Sequence, residues 1–518
     1  MSTLLKPTSP APDDGADATT ATANATDDAA DRRPAWATAL CLAALAALTA
    51  ALVGTFTGGG TLGHRGPLLV WYPLDCVLFA LALVTLRRVP ARRVTSLVLV
   101  GSVAVAAAAL LVAPRTSDDA YRYLWDGHVQ AAGISPYAYP PDAPQLAHLR
   151  AEEPTLFPPT GASIGACTAW DERRTTAGQC THINRPGVPT IYPPVAQAWF
   201  LVLHLVEHGH GVRAAQAGGA LLAVATTGVL LLVLPRERRR RAALWGWFPG
   251  TAVWAVNDAH VDALGALLTV VGLALAVRHR RAPGRAALGG AAPGRAALGG
   301  AAPGRAALGG AALGAAIATK LLPALALPGA LSGVLARRPT RRDLLLPAVA
   351  VGCFALAYLP YLVLSGRQVI GFLPGYLHQE GYDDGTAARF GLLQFLPGPA
   401  AAPVAALIVL AVALYVLRRG DPDRPWAGAL VVYGALLLAL TPDYPWYGLL
   451  LVALVAMDGR WEWLGVPVAG QAVYLIGGDA QVAAYSAALG LVLAGAALRR
   501  RSAANRREQQ GASAVLTL

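Results

Sequence analysis

An acidic pair, Asp118 and Asp119, opens a polar segment that directly follows an apolar run. If this segment is helical, Asp118, Arg122 and Asp126 lie on one face because they are spaced four residues apart. A carboxylate held at a membrane boundary can accept a proton from an incoming hydroxyl group. The same residues also suit a simpler role, in which Ser117 or Asp118 caps the helix and Arg122 forms a surface ion pair. Both interpretations stay open, because capping by one residue leaves a carboxylate free.

The other side of this predicted helix is amphipathic. It carries Tyr121, Leu124, Trp125 and His128, which suits a helix lying at the membrane surface. Gly133 is expected to end the helix, because glycine readily adopts the left-handed conformation that follows a helix C-terminus.

A second polar group interrupts two apolar runs between Asn257 and Asp262. Asp258, His260 and Asp262 are ionisable, and such groups are costly at membrane depth. The segment fits a hydrated turn, and it fits polar recognition of a sugar or phosphate equally well. Histidine and aspartate at this spacing can bind a metal, but they specify no ligand set.

A lone lysine and an aromatic turn complete the candidate residues. Lys320 interrupts an apolar stretch, where it would bind phosphate or extend along the helix end toward water. The turn around Asp443, Trp446 and Tyr447 suits a membrane interface, and aromatic rings also stack on sugars. A further polar loop would fit a mobile cover over a cleft. Its polar residues are Arg367, His378, Gln379, Glu380, Asp383, Asp384 and Arg389.

The composition predicts a membrane protein. Of 518 residues, 55% are hydrophobic and only 14% are charged, and the mean hydropathy is +0.47. Apolar runs of roughly 17–25 residues recur, which is about the length of a membrane-crossing helix. The net charge of +12 does not indicate nucleic-acid binding, because the arginines cluster between the apolar runs. Such clusters mark cytoplasmic loops.

We predict that residues 35–498 form one domain of about 12 to 15 transmembrane helices. The candidate spans are 36–56, 68–86, 95–113, 214–235, 243–256, 261–277, 306–319, 321–336, 344–364, 401–417, 426–440, 446–458, 463–477 and 480–498. With the arginine clusters in the cytoplasm, the acidic pair, the 257–262 turn, Lys320 and the aromatic turn all fall outside the cell. This shared side predicts a single extracytoplasmic working face in a plasma-membrane protein.

Several segments lie outside this regular pattern. Residues 192–208 are expected to form an interfacial helix or a partial span. Residues 1–34 and 499–518 are expected to be cytoplasmic tails, the first of them disordered. The unit APGRAALGGA occurs three times in succession over 282–311, which predicts a low-complexity cytoplasmic linker. In the long external loop, 114–191, Cys167 and Cys180 are equally compatible with a disulfide bond and with free thiols.

These motifs together resemble the GT-C superfamily of polyprenyl-phosphate-sugar-dependent glycosyltransferases. The features in common are a span, an acidic pair opening a helix, and a later Tyr192-Pro193-Pro194 before an apolar helix. Within that superfamily the chain looks most like actinobacterial mannosyltransferase-type membrane proteins of the glycosyltransferase 87 kind. The match covers most of residues 36–498. The chain departs from many GT-C enzymes in placing two further spans between the first span and the acidic loop.

The resemblance implies a fold, a reaction and roles for residues. It implies a GT-C-like all-α bundle whose long external loop carries interfacial helices. The implied enzyme is a hexosyltransferase that moves a sugar, with mannose the first choice, from a polyprenyl phosphate to a glycan or glycolipid acceptor, with inversion. An aspartate would be the general base, here Asp118 or Asp119. The distance to Gly133 favours Asp118 by likeness to aminoarabinose transferases.

The remaining candidates are assigned to substrate contacts. Among them, Arg122 and Lys320 would meet the donor phosphate, and His260 would meet donor or acceptor. The assigned residues are Arg122, Asp126, His128, Asn257, Asp258, His260, Asp262, Lys320, Asp443, Trp446 and Tyr447. No metal ligands are assigned, and a divalent metal remains compatible with the prediction. The rival functions are a transporter or flippase for a polar or lipid-linked substrate, and a non-catalytic scaffold.

Overall fold

The computed structural model describes residues 35–158, 167–207, 209, 211–277, 302–381 and 389–515. These residues are largely helical, with one two-stranded sheet. In the N-terminal half the elements are α1 (Ala35–Thr57), α2 (Gly66–Leu86), α3 (Ala91–Ala109), α4 (Asp119–Ala131), α5 (Ala147–Glu152), β1 (Arg173–Arg174), β2 (Cys180–Thr181), α6 (Pro194–Glu207), α7 (Val212–Val233), α8 (Ala243–Gly246) and α9 (Asp262–Ala276). A π-helical segment, Thr251–Asn257, precedes α9.

The C-terminal half continues with α10 (Ala302–Thr319), α11 (Leu327–Ala330), α12 (Arg341–Ser365), α13 (Leu373–Gln379), α14 (Gly398–Arg419), α15 (Pro425–Leu440), α16 (Gly448–Asp458), α17 (Gly465–Ile476) and α18 (Gln481–Val515). Short 3₁₀ turns connect them, including Pro445–Tyr447. The predicted N-terminal tail, most of the repeat linker, Asp383 and Asp384 lie outside the described residues. The last copy of the repeat belongs to α10, and α18 continues through most of the predicted C-terminal tail.

The helices make this chain an all-α polytopic membrane protein. In the described part of the chain, seven helices are long and apolar enough to cross a membrane, or eight if Thr251–Asn257 and α9 form one bent span. Four shorter apolar helices accompany them, and α6 is one of these. At about 1.5 Å per residue, the 14 residues of α6 fall short of the hydrocarbon thickness. In the described residues this gives fewer full-length spans than the 12 to 15 predicted, and the four shorter helices account for part of the difference.

Proline and glycine explain why one predicted span, 321–336, is not a continuous helix. The predicted span 321–336 is divided into the turn Leu322–Ala326, the single helical turn of α11 and the turn Val334–Ala336. Pro323 begins the first break because proline lacks the backbone donor that a continuous helix needs. Gly333 has a φ of +70°, which ends the second piece.

The arginine-rich segments meet at one end of the helices. Arg240 donates to the backbone oxygen of Val89 at 2.5 Å, which joins two of the predicted cytoplasmic clusters. Arg241 donates to the backbone oxygen of Asp458, and Arg424 pairs with the Asp458 carboxylate at 2.7 Å. Asp458 is the last residue of α16, and the Pro445–Tyr447 turn precedes the first. The arginine-rich end and the aromatic turn thus lie at opposite ends of α16.

The long loop after α3 folds back over α4. Its strands β1 and β2 pair in antiparallel fashion, and a disulfide bond joins Cys167 to Cys180. Leu124 and Trp125 are only 2% and 1% exposed, and they pack in one apolar cluster with loop residues such as Phe157. This corrects the prediction that these two residues face the membrane surface, because the loop covers that side of α4.

Candidate active site

The acidic pair stands at the start of α4, as predicted, but it does not cap the helix. Asp118 is the residue before the first turn, and its carboxylate makes no capping hydrogen bond. The hydroxyl of Ser117 instead accepts from the backbone nitrogen of Asp119 at 3.3 Å. The helix ends at Ala131, and Gly133 follows with a φ of +75°. The carboxylates of the pair are therefore available for other contacts.

Asp119 contacts three side chains from separate parts of the chain. Asn184 donates to its Oδ1 at 2.5 Å, and the hydroxyl of Tyr192 donates to its Oδ2 at 3.0 Å. The Nδ1 of His260 lies 3.3 Å from the same Oδ2. Burial raises the pKa of Asp119, but His260, the charge of Lys320 and the Tyr192 hydroxyl together lower that pKa below its usual range. Asp119 is thus held as a carboxylate.

Asp118 has a different environment. Its Oδ2 lies 2.9 Å from the guanidinium of Arg173 on β1, and its Oδ1 accepts from Asn184 at 3.1 Å. Burial raises its pKa to about 6, with Arg173 opposing the rise and the Asp119 charge adding to it. The two neighbouring carboxylates therefore differ in proton affinity, and Asp118 is the one whose pKa lies near neutrality.

The backbone that leads into the acidic pair holds the turn 257–262 in place. The side chain of Asn257 donates to backbone oxygens at the end of α3 and accepts from the nitrogen of Arg115 at 3.0 Å. Asp258 accepts from the nitrogen and the hydroxyl of Thr116, at 3.1 and 2.5 Å. Asn257 and Asp258 are both fully buried. Their polar groups bind the chain itself, and the structure brings neither to a ligand-facing position.

His260 is carried by a strained backbone. Ala259 precedes it with a φ of +54°, a conformation that non-glycine residues rarely adopt. This geometry turns His260 toward Asp119, where its ring stacks on Trp446 with centroids 4.0 Å apart. His260 is fully buried and Trp446 is 7% exposed. Two residues predicted for substrate contact therefore form a wall beside the acidic pair.

Lys320 lies close to the same group. Its Nζ pairs with Asp262 at 2.7 Å and lies 4.7 Å from the ring centre of Tyr447. Its charge also acts on Asp119. Lys320 directly follows α10 and Asp262 begins α9, so these helix ends meet the start of α4. The side chains of Lys320 and Asp262 are 18% and 8% exposed.

A polar network borders this group on the side of the predicted cover loop. Glu380 accepts from Tyr444 at 2.9 Å and pairs with Arg185 at 3.2 Å. Arg389 pairs with both Glu380 and Asp443. Tyr444 packs beside Trp446, with ring centroids 5.0 Å apart. The predicted cover loop is thus joined to the aromatic turn through Glu380 and Arg389.

Three predicted site residues are placed elsewhere. The guanidinium of Arg122 donates to Asp126 at 3.0 Å and to the backbone oxygens of Arg185 and Val188. Asp126 also accepts from Gln197 at 2.9 Å. Arg122 and Asp126 therefore fasten the loop to α4 and are almost fully buried. His128 follows Asp119 by nine residues, which puts it on the opposite side of α4.

Asn184, Tyr192 and Arg173 were missed by the sequence analysis. Arg173 and Asn184 come from the distal part of the long external loop and Tyr192 directly follows that loop, so all three are more than 50 residues after the acidic pair. Tyr192 carried a signal, because it heads the Tyr-Pro-Pro motif. Asn184 and Arg173 belong to no recognisable sequence motif, because asparagine and arginine are common in polar loops.

The arrangement combines an ionised carboxylate, a carboxyl with a pKa near neutrality, three partly exposed cations and an aromatic wall. The cations are Arg173, Arg185 and Lys320. Such a site can accept a proton from a hydroxyl and hold an anionic group beside a ring-shaped substrate. No family model, curated protein or solved structure matches this chain.

Proposed function

We propose that this chain is a membrane glycosyltransferase. It moves a sugar from a polyprenyl-phosphate donor, with mannose the first choice, to a glycan or glycolipid acceptor outside the cell. The resemblance in the sequence motifs supplies the donor class. One observation carries the proposal: the acidic pair, the 257–262 turn, the end of α10 and the aromatic turn converge in space, although they are far apart in sequence.

Asp118 is the general base in this proposal. A base works best when its pKa is near the working pH, and the pKa of Asp118 is raised to about 6. Its carboxylate takes the proton from the acceptor hydroxyl as the acceptor oxygen bonds to the anomeric carbon. The bond from that carbon to the phosphate oxygen breaks, and the lipid phosphate leaves with the electron pair. Attack opposite the leaving group inverts the anomeric centre.

Asp119 has a supporting role in the same step. Its pKa is lowered, so it remains ionised and is a weak proton acceptor. It orients His260 and receives the hydroxyl of Tyr192. Its fixed negative charge also raises the pKa of Asp118. Asp119 is therefore a positioning residue for the base and for the His260–Trp446 wall.

The leaving lipid phosphate requires cations. Lys320 and Arg185 supply them in this proposal, with side chains 18% and 36% exposed. Arg122, an earlier candidate for that role, is replaced because its guanidinium is buried and bound by Asp126 and two backbone oxygens, whereas Lys320 and Arg185 are ion-paired but partly exposed. An arginine and a lysine at one site can bind a phosphate from two sides.

The distribution of arginine supports an external site. The arginine-rich end and the aromatic turn lie at opposite ends of α16. Arginine-rich loops stay in the cytoplasm under the positive-inside rule. The acidic pair, which lies beside the aromatic turn, then faces the other side of the membrane. That is where a lipid-linked sugar would meet an external acceptor.

The first test measures sugar transfer in membranes containing the full chain. Synthetic polyprenyl-phosphate mannose, labelled in the sugar, is supplied with an extract of envelope glycans and glycolipids. We expect Asp118→Asn to reduce kcat by about 100-fold or more, the scale of a lost general base. We expect Asp119→Asn to reduce transfer less, by about tenfold, because the base remains.

The matched control is Asp479→Asn, which removes an exposed carboxylate in the turn before α18. It should transfer sugar at the wild-type rate. Full transfer by both Asp118→Asn and Asp119→Asn would refute the base assignment. Absence of transfer from every lipid-linked sugar tried would refute the enzyme itself.

A transporter or flippase is the second candidate, and one observation favours it. Thr251–Asn257 and α9 are bent by 111° at a short break. Discontinuous helices are typical of substrate sites in secondary transporters. Flux of a fluorescent lipid-linked sugar across proteoliposomes, without any transfer product, would support this function over the enzyme.

A further inference from the structure

We infer that His128, Glu153 and His204 form a zinc site. His128 projects from α4, Glu153 follows α5 in the external loop, and His204 lies near the end of α6. One ligand atom from each residue lies within 4.8 Å of the others. This group is separate from the acidic pair, because His128 is on the opposite side of α4 from Asp119.

The distances suit an ion at the centre of the three residues. The Nδ1 of His128 lies 3.4 Å from the Oε1 of Glu153. This is too long for a strong hydrogen bond. Zinc bound tetrahedrally at about 2.1 Å keeps neighbouring ligand atoms about 3.4 Å apart. The two side chains are therefore spaced as ligands of one ion would be.

The histidine nitrogens are the second observation. Both ring nitrogens of His128 and the Nδ1 of His204 are buried, and among the residues that the structure describes none of these atoms has a hydrogen-bond partner. Buried polar atoms of this kind are rare, because leaving them unpaired costs free energy. The two rings meet edge to face, with centroids 5.0 Å apart. An ion bound by one nitrogen of each ring would satisfy part of this unpaired capacity.

The surrounding charges also favour a cation. Glu152 lies 3.4 Å from the Nε2 of His128, and Glu207 lies 3.8 Å from the Nδ1 of His204. In the described residues, neither Glu153 nor Glu207 forms an ion pair with a lysine or arginine. Three carboxylates thus surround two imidazoles, and no lysine or arginine in the described part of the chain pairs with any of the three.

The ligand types select the metal. Two imidazoles and a carboxylate are a common zinc set, whereas calcium and magnesium prefer oxygen ligands. Glu152 or a water molecule can complete four-coordination. The side chains of His128, Glu153 and His204 are 13%, 17% and 21% exposed, so an ion can reach the group from solvent. Bound zinc would join α4, α6 and the external loop, and would brace the helix that begins at the acidic pair.

The test uses binding alone, so its result does not depend on sugar transfer. The full chain is purified in detergent and stripped of metal with a chelator. Zinc is titrated in competition with a fluorescent zinc chelator, and thermal unfolding is followed with and without zinc. We expect one zinc ion per chain and a higher Tm with zinc. Cobalt, bound in place of zinc, should give the intense visible absorption of a tetrahedral site.

Single substitutions locate the ion. His128→Ala and His204→Ala should each weaken zinc binding by about 100-fold, and Glu153→Gln by about tenfold or more. His64→Ala, which removes an exposed histidine outside the group, should bind zinc as the wild type does. Size-exclusion profiles and metal-free Tm values show whether each variant is folded. Wild-type affinity in all three ligand variants, or no zinc bound by the wild type, would overturn the assignment.

Discussion

Two charged neighbours shift the pKa of Asp118 in opposite directions. Arg173 stabilises its ionised form, and Asp119 destabilises that form because like charges repel. Burial adds to the effect of Asp119, and the pKa rises to about 6. A carboxyl group with this pKa is half ionised near pH 6 and mostly ionised at neutral pH. The rate of any reaction that uses Asp118 as a base must therefore depend on pH in a range that is easily measured.

The pH dependence of sugar transfer tests the role of Asp118 as the base. The base must be ionised to act, so kcat/KM should fall as the pH drops through about 6 and level off above it. Arg173→Gln removes the charge that lowers the pKa of Asp118. The acidic limb of the profile should then move to higher pH. The measurement is initial rate against pH for both proteins.

Arg174→Gln is the matched control for this shift. Arg174 is the next residue on β1, and neighbouring strand residues point to opposite faces. Its removal should leave the acidic limb where the wild type has it. If Arg173→Gln also leaves the limb unmoved, Asp118 is not the group that titrates.

At the residue level, sequence reasoning found the acidic pair but not its surroundings. Helical spacing identified the local group of Asp118, Arg122 and Asp126, because such spacing depends only on the helix repeat. It could not separate the pair, since their pKa values are set by Arg173 and His260, which are distant in sequence. Arg122 had the same local signal and proved to be fastened to the loop.

At the element level, the bent pair of Thr251–Asn257 and α9 controls the position of His260. Asn257 ends the π-helical segment and ties it to the end of α3 and to Arg115. Gln216 of α7 donates to the backbone oxygen of Asn257 at 2.8 Å. A change at Asn257 therefore affects three elements at once, and it affects the acidic site only through them.

We predict that Asn257→Ala destabilises the chain by about 2 kcal/mol, because it removes the hydrogen bonds of a fully buried amide to the backbone oxygen of Ala109 and from the backbone nitrogen of Arg115. The midpoint of thermal unfolding in detergent should fall by several degrees. Asn505→Ala, in the exposed C-terminal part of α18, should not change it. A wild-type midpoint for Asn257→Ala would show that the turn is held by other contacts.

The predicted helices succeeded where apolar runs were uninterrupted. The spans 36–56 and 68–86 match α1 and α2 to within about two residues at each end. The span 243–256 failed, because the helix breaks at Trp247 and Phe248, directly before Pro249, and a residue that precedes proline disfavours the helical conformation. Hydropathy reports where apolar residues lie, but it does not report whether the backbone is continuous.

At the scale of the whole molecule, Asp458 joins the arginine-rich segments. Its carboxylate is fully buried and pairs with Arg424 and Arg460, and its backbone oxygen accepts from Arg241. These three arginines come from different connections between helices. The arginine clusters were predicted to share one side of the membrane, and these contacts bring several of them together.

We predict that Asp458→Asn lowers the stability of the whole bundle. It removes the charge that two arginines share, and breaking a buried pair costs several kcal/mol. Arg424 is 44% exposed, so water will compensate part of the loss, and we expect about 2 kcal/mol. The check is thermal unfolding in detergent at two salt concentrations.

Asp423→Asn provides the comparison, because Asp423 is an exposed acid one residue from Arg424. It should unfold at the wild-type temperature. Equal midpoints for Asp458→Asn and Asp423→Asn would mean that the arginine-rich end is held together without the buried carboxylate.

Every residue of α16 is buried. A helix that is buried on all sides makes no contact with lipid in the folded protein, although lipid surrounds it when it is first inserted. In the chain it follows α1 to α15, so it is synthesised after them. The earlier helices therefore remain incompletely packed until α16 is inserted between them. A chain cut short before Gly448 would lack its central helix. A cut before Trp446 would also remove the ring that stacks on His260. The central packing of the bundle is therefore completed only after α16 has been inserted.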